Sequence, residues 1–153
     1  MKMQNALAVS IGLIVFAGAS PSFAADPTAT RADQVASIQA QYNPLFDSQY
    51  ARLLVLKKKT LYDATNFPIV KSVLADFLGA RNSINTDLTS ATADLETVRA
   101  YAEEETGEFG NTIYQLETQV AKNKTIRCVK GKVLKKVTAI NPKCPSSYKQ
   151  KKS

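Results

Sequence analysis

Between Arg31 and Val120, apolar residues recur every three or four positions, the spacing of one face of an α-helix. Val35, Ile38, Tyr42 and Leu45 open the pattern, and Phe46, Tyr50, Leu53, Leu54, Leu56 and Leu61 continue it. They predict a helical region over residues 30–62. Asn43-Pro44 lies inside it. An internal proline loses a hydrogen bond and clashes with the preceding turn, so a kink or a fresh start is expected at Pro44. The clearest run is Val70, Leu74, Phe77, Arg81, Ile84, Leu88, Ala91, Leu95, Val98 and Ala102, in alternating steps of four and three. It predicts one heptad-like helix of about ten turns. That helix is capped at Asn66 or Phe67, with Pro68 in its first turn, where a missing N–H is harmless. Ile69, Val73 and Leu78 widen the stripe, as a bundle requires. Gly79 marks a close crossing or a bend. The Thr, Ser and Asn of residues 82–97 read as a polar helix face. Gly107 and Gly110 then punctuate the chain, and Phe109, Ile113, Leu116 and Val120 form either a short third helix or a continuation of the second across a bend.

Past residue 121 the period shortens. Thr125–Val129 and Val133–Ile140 are rich in β-branched residues and flank Lys130-Gly131-Lys132, where glycine can take a positive φ. This is a β-hairpin, and Asn141-Pro142 turns the chain so that Cys144 can meet Cys128. The last residues, from Tyr148, are expected to fray. The predicted fold is therefore mainly α: an elongated antiparallel helical hairpin or three-helix bundle, with a small C-terminal β-hairpin closed by a disulfide.

The start of the chain changes the compartment. Lys2, an apolar run from Ala6 to Ala19 and the segment Ser20-Pro21-Ser22-Phe23-Ala24 have the layout of a secretory signal peptide, cleaved after Ala24 or Ala25. The run is short for a transmembrane helix. The expected organisation is residues 1–24 as signal peptide, 25–121 as helical bundle and 122–153 as basic disulfide hairpin and tail. Export also decides how the cysteines read. In an oxidising compartment two cysteines most simply form one disulfide, Cys128–Cys144, whereas a zinc site needs about four ligands and the chain has no histidine.

Charge divides the chain in the same place. Residues 25–121 hold eight Lys and Arg against thirteen Asp and Glu, a net of −5, whereas residues 122–153 hold eleven Lys and Arg and no acid. A basic module on an acidic body points to an anionic partner, or else to lysines that keep the module soluble or dock it on its own body. Lys57-Lys58-Lys59 is a favourable helix end rather than a phosphate site. The Glu103, Glu104, Glu105 and Glu108 cluster lacks the loop of oxygens that calcium wants. Without histidine there is no Ser-His or Cys-His nucleophile, and no glycine-rich phosphate loop is present. No enzymatic activity, metal or cofactor is expected.

The terminal residues Ile126, Cys128, Lys130-Gly131-Lys132, Lys135-Lys136-Val137, Pro142, Cys144-Pro145 and Tyr148 form a pattern that resembles a basic two-cysteine tail found on diverse secreted actinobacterial proteins. The usual form of that tail has glycine just before the tyrosine, where this chain has Ser147. The resemblance implies secretion and a portable module, and it assigns no activity. The body is similar only to small exported helical proteins. The functional expectation is an exported helical protein associated with an anionic polymer or surface of the cell envelope. The binding residues would be Lys130, Lys132, Lys135, Lys136, Lys143, Lys149, Lys151 and Lys152. The alternative is a soluble extracellular module that binds a protein partner or self-associates through the helical seam. Nucleic acid is disfavoured, because the module lacks an aromatic stacking platform.

Overall fold

A computed structural model describes residues 29–151. The signal-peptide segment and Lys152 lie outside the described residues. Three helices come first: α1 (Arg31–Thr60), α2 (Asn66–Thr89) and α3 (Leu95–Ala121). They pack pairwise as an antiparallel three-helix bundle joined by short turns. Strands β1 (Lys124–Lys130), β2 (Val133–Ala139) and β3 (Lys149–Gln150) follow and form one antiparallel sheet in the order β2-β1-β3.

α1 begins at a reciprocal cap. The Thr30 hydroxyl accepts from the Asp33 N–H, and the Asp33 carboxylate accepts from the Thr30 N–H and hydroxyl. These bonds, the Thr30 hydroxyl first, hold the Asp33 carboxyl below the usual carboxylate range. The helix then runs unbroken through Pro44, so no fresh start occurs there. Pro44 faces solvent between buried Tyr42 and Phe46, and the core contacts on either side hold the helix together across the missing hydrogen bond.

The single ten-turn helix is corrected. The chain reverses between Ser90 and Asp94, and the seam is shared by two helices. Val70, Leu74, Phe77, Ile84 and Leu88 are buried on α2, and Leu95, Val98 and Ala102 on α3, whereas Ala91 is exposed in the turn. Short polar side chains cause the break. The Thr89 hydroxyl donates to the Thr86 carbonyl, and the Asp94 carboxylate accepts from the Glu96 N–H and the Thr97 hydroxyl, capping α3. The Thr97 hydroxyl and the Glu96 N–H in turn lower the Asp94 carboxyl below its usual range. Gly107 and Gly110 do not punctuate the chain; both lie inside α3. Gly79 marks no crossing, since a methyl group there would meet nothing within 4 Å.

The core is one apolar cluster shared by the three helices. Phe77 is fully buried at its centre, edge-on to Phe46 and Phe109 with ring centroids 5.7 and 5.1 Å away. Each such side chain contributes about 1.5–3 kcal/mol by leaving water. Beside this cluster the buried Gln49 amide donates to the Thr106 carbonyl at 2.6 Å, joining α1 to α3. Gly110 lies beside it: a Cβ there would sit 3.4 Å from Gln49 Nε2, in van der Waals contact. The seam is thus consumed inside the chain.

Candidate anion-binding face of the terminal sheet

The hairpin register follows from its turn. Lys130 pairs with Val133, leaving Gly131-Lys132 as a two-residue loop. Gly131 takes φ +58°, the sign a type II′ turn asks of its first central residue. Opposite residues share a face. Ile126, Cys128 and Lys130 therefore stand with Val137, Lys135 and Val133, and Thr125, Arg127 and Val129 with Thr138, Lys136 and Leu134.

The two faces differ. Cys128 is fully buried and bonded to Cys144, which ties the returning loop over its own face, with Ile126 and Val137 half-buried beneath. We call this the closed face. The chain then comes back as β3, so the tail does not fray at Tyr148. Lys149 pairs with Val129, and the Lys151 N–H donates to the Arg127 carbonyl at 2.8 Å, which places Lys151 opposite Arg127.

The other face is open and carries a row of three cations: Lys136 on β2, Arg127 on β1 and Lys151 beyond β3. Lys149 stands one row away. Arg127 points its backbone groups at β3, so its pair with Lys136 is the type without hydrogen bonds, with Cα atoms about 4.5 Å apart and side chains closest. Like charges so placed destabilise a sheet. Nothing in the described chain neutralises them. The ion pairs among the described residues are Arg52–Glu117, Arg81–Asp47 and Arg99–Glu96, all within the bundle. Among the described residues the basic module therefore makes no ion pair with the acidic body.

Of the expected lysines, the structure brings together Lys136, Lys149 and Lys151 on the open face. It places Lys130 and Lys135 on the closed face, Lys132 in the hairpin turn and Lys143 in the loop just before Cys144; all seven are exposed. Arg127, the centre of the row, was absent from that expectation. It was within reach: counting outward from Gly131-Lys132 puts Arg127 opposite Lys136. A planar guanidinium flanked by two ammoniums, on strands about 4.8 Å apart, can grip phosphate or carboxylate groups repeated along a polymer.

The bundle positions this sheet through the α1–α2 turn. The Thr138 N–H, at the outer edge of β2, donates to the Tyr62 carbonyl at 2.8 Å, and Lys136 Nζ lies 5.0 Å from the Tyr62 ring centre. Asp63 fixes the turn. Its carboxylate accepts from the N–H groups of Thr65 and Asn66 at 3.0 Å each, from the Asn66 amide at 2.7 Å, and from the Asn123 amide just past α3. Its carbonyl takes the Phe67 N–H. Capping of α2 thus falls on Asp63, not on Asn66 or Phe67. Compared with protein-family models, curated proteins and solved structures, the chain matches none.

Proposed function

We propose that this chain is an exported, non-enzymatic helical protein held at the cell envelope by Coulombic contact between the open face of its terminal sheet and an anionic polymer or surface. The observation that carries this reading is the row Lys136, Arg127 and Lys151, which has no ion-pair partner among the described residues. A small sheet that keeps like charges side by side, with no carboxylate against them among the described residues, gains stability when an anion arrives. The buried disulfide fits an oxidising compartment. Among the described residues no helix is long and apolar enough to cross a membrane, and the reading uses charge as the attachment. The bundle serves as a spacer that presents the sheet.

Washing isolated envelopes tests the reading. The protein is expected in the envelope fraction at low salt and in the wash at high salt, as the screening length falls from about 10 Å at 0.1 M to about 3 Å at 1 M. Recovery in the medium at every salt concentration would contradict it.

A further inference from the structure

We propose that the outer edge of β2 receives an extended acidic peptide, which pairs its backbone with Leu134 and Lys136 and seats an apolar side chain in the groove beside that edge. It shares Lys136 with the open-face reading but rests on different features, the outward backbone groups of the strand's edge and the α1–α2 turn, and is read separately through the Leu134 and Lys136 amides.

Three observations meet here. The first is hydrogen-bonding capacity. Thr138 sends its N–H away from β1, to Tyr62, so in the regular register Leu134 and Lys136 also point their N–H and C=O groups outward. Those groups meet no partner among the described residues. The Tyr62 carbonyl occupies the first position a neighbouring strand would take, and leaves the next ones open.

The second is a groove of about 440 Å³ along that edge, lined by Leu61, Tyr62, Asp63, Phe67 and Pro68 on the bundle side and by Leu134 and Lys136 on the strand; the Asp63 carboxylate is buried and turned to its own four hydrogen-bond donors. Its apolar residues are unusually exposed: Leu61 by 52%, Tyr62 by 45% and Leu134 by 53%. The third is charge. Lys135 and Lys136 flank the groove, and Lys143 lines an adjoining hollow that shares Tyr62 with it.

These features select among occupants. An acyl chain would cover the outward backbone groups of Leu134 and Lys136 without bonding them, which is costly. A second copy of β2 would bring the Lys132, Lys135 and Lys136 of one chain close to those of the other, the arrangement by which lysines on edge strands prevent pairing. An extended peptide satisfies the backbone groups, and acidic side chains turn the same lysines from a barrier into an attraction.

The test titrates isotopically labelled full mature protein with a short peptide alternating glutamate and valine. Two controls are a version with lysine for glutamate and a version N-methylated on the amides that would face β2. The glutamate peptide is expected to shift the Leu134 and Lys136 amide resonances and slow their exchange with solvent. The N-methylated peptide is expected to bind about tenfold more weakly for each hydrogen bond lost, and the lysine peptide not at all. Leu134→Pro removes an outward N–H without touching the ladder to β1, and is expected to weaken binding similarly. The proposal is overturned if the glutamate peptide leaves both amides unmoved at millimolar concentration, or if the N-methylated peptide binds equally well. It is also overturned if dodecyl phosphate moves the Phe67 and Leu134 resonances where the peptide does not, or if the protein self-associates through this edge.

Discussion

Asp63 is 2% exposed and has no ion pair among the described residues, yet its carboxylate receives four hydrogen bonds that start α2 and pin Asn123. Removing it leaves those donors unpaired, so Asp63→Ala is expected to destabilise the protein by about 3 kcal/mol, read as a lower denaturant midpoint. A change within about 0.5 kcal/mol would place Asp63 among ordinary surface residues. Its importance was not legible in the sequence, because Asn123 lies 60 residues away and nothing local announces the pair. Ser147 is the opposite case. The tail it resembles has glycine at that position, and here the serine takes φ +75°, a left-handed conformation that L-residues adopt at a cost of about 1–2 kcal/mol. Glycine's greater freedom in the unfolded chain cancels part of that. Ser147→Gly is accordingly expected to raise stability by about 1 kcal/mol in the same measurement; a loss of stability would show that the serine side chain holds the turn.

At the scale of elements, the helical period and the hairpin were legible, and the points where helices end were not. The seam from Val70 to Ala102 kept its steps through a reversal of the chain, because the turn from Ser90 to Asp94 has the length that continues them. What ends α2 and begins α3 is local hydrogen bonding by Thr89 and Asp94, which apolar spacing does not register. β3 was missed for a related reason: two residues carry no period, and only the disulfide loop brings them to β1. The caps predict a pH dependence. Asp33 and Asp94 have carboxyls lowered in the folded state by their hydrogen bonds, so their contribution is complete above the unfolded carboxylate range, about pH 4, and is lost as pH falls through the lower folded values. Melting temperature is expected to hold from neutrality down to about pH 5 and to fall below about pH 4, with Asp94→Asn flattening part of the fall. An unchanged acid limb in that variant would mean the cap does not contribute. The disulfide gives a second prediction. It joins residues 16 apart in sequence, a closure worth about 3 kcal/mol to a sheet this small. Replacing both cysteines by serine is expected to cost β3 and the closed face their protection from hydrogen exchange, while the far-ultraviolet helix signal persists. Retained protection would show that the sheet folds on its own.

For the molecule as a whole, composition revealed that charge is divided between body and tail but not how the divided parts meet. The two parts join through uncharged or single-charge contacts: the Tyr62 carbonyl with Thr138, the Asp63 carboxylate with Asn123, and the Lys136 ammonium over the Tyr62 ring. Among the described residues no ion pair joins the acidic body to the basic module. The sheet also sorts the lysines, and in the proposed function this sorting matters: Lys136, Arg127 and Lys151 would bind the envelope polyanion, whereas Lys130 and Lys135 on the closed face would contribute little. The most direct measurement is the amount of protein retained on isolated envelopes at low and high salt for two variants, each compared with the unaltered protein. One carries Arg127→Gln, Lys136→Gln and Lys151→Gln; the other carries Lys130→Gln, Lys132→Gln and Lys135→Gln and loses the same formal charge. The first variant is expected to be released even at low salt, while the second stays bound and elutes near the salt concentration of the unaltered protein. Equal loss in both variants would show that only total charge counts, and would contradict the open face as a site.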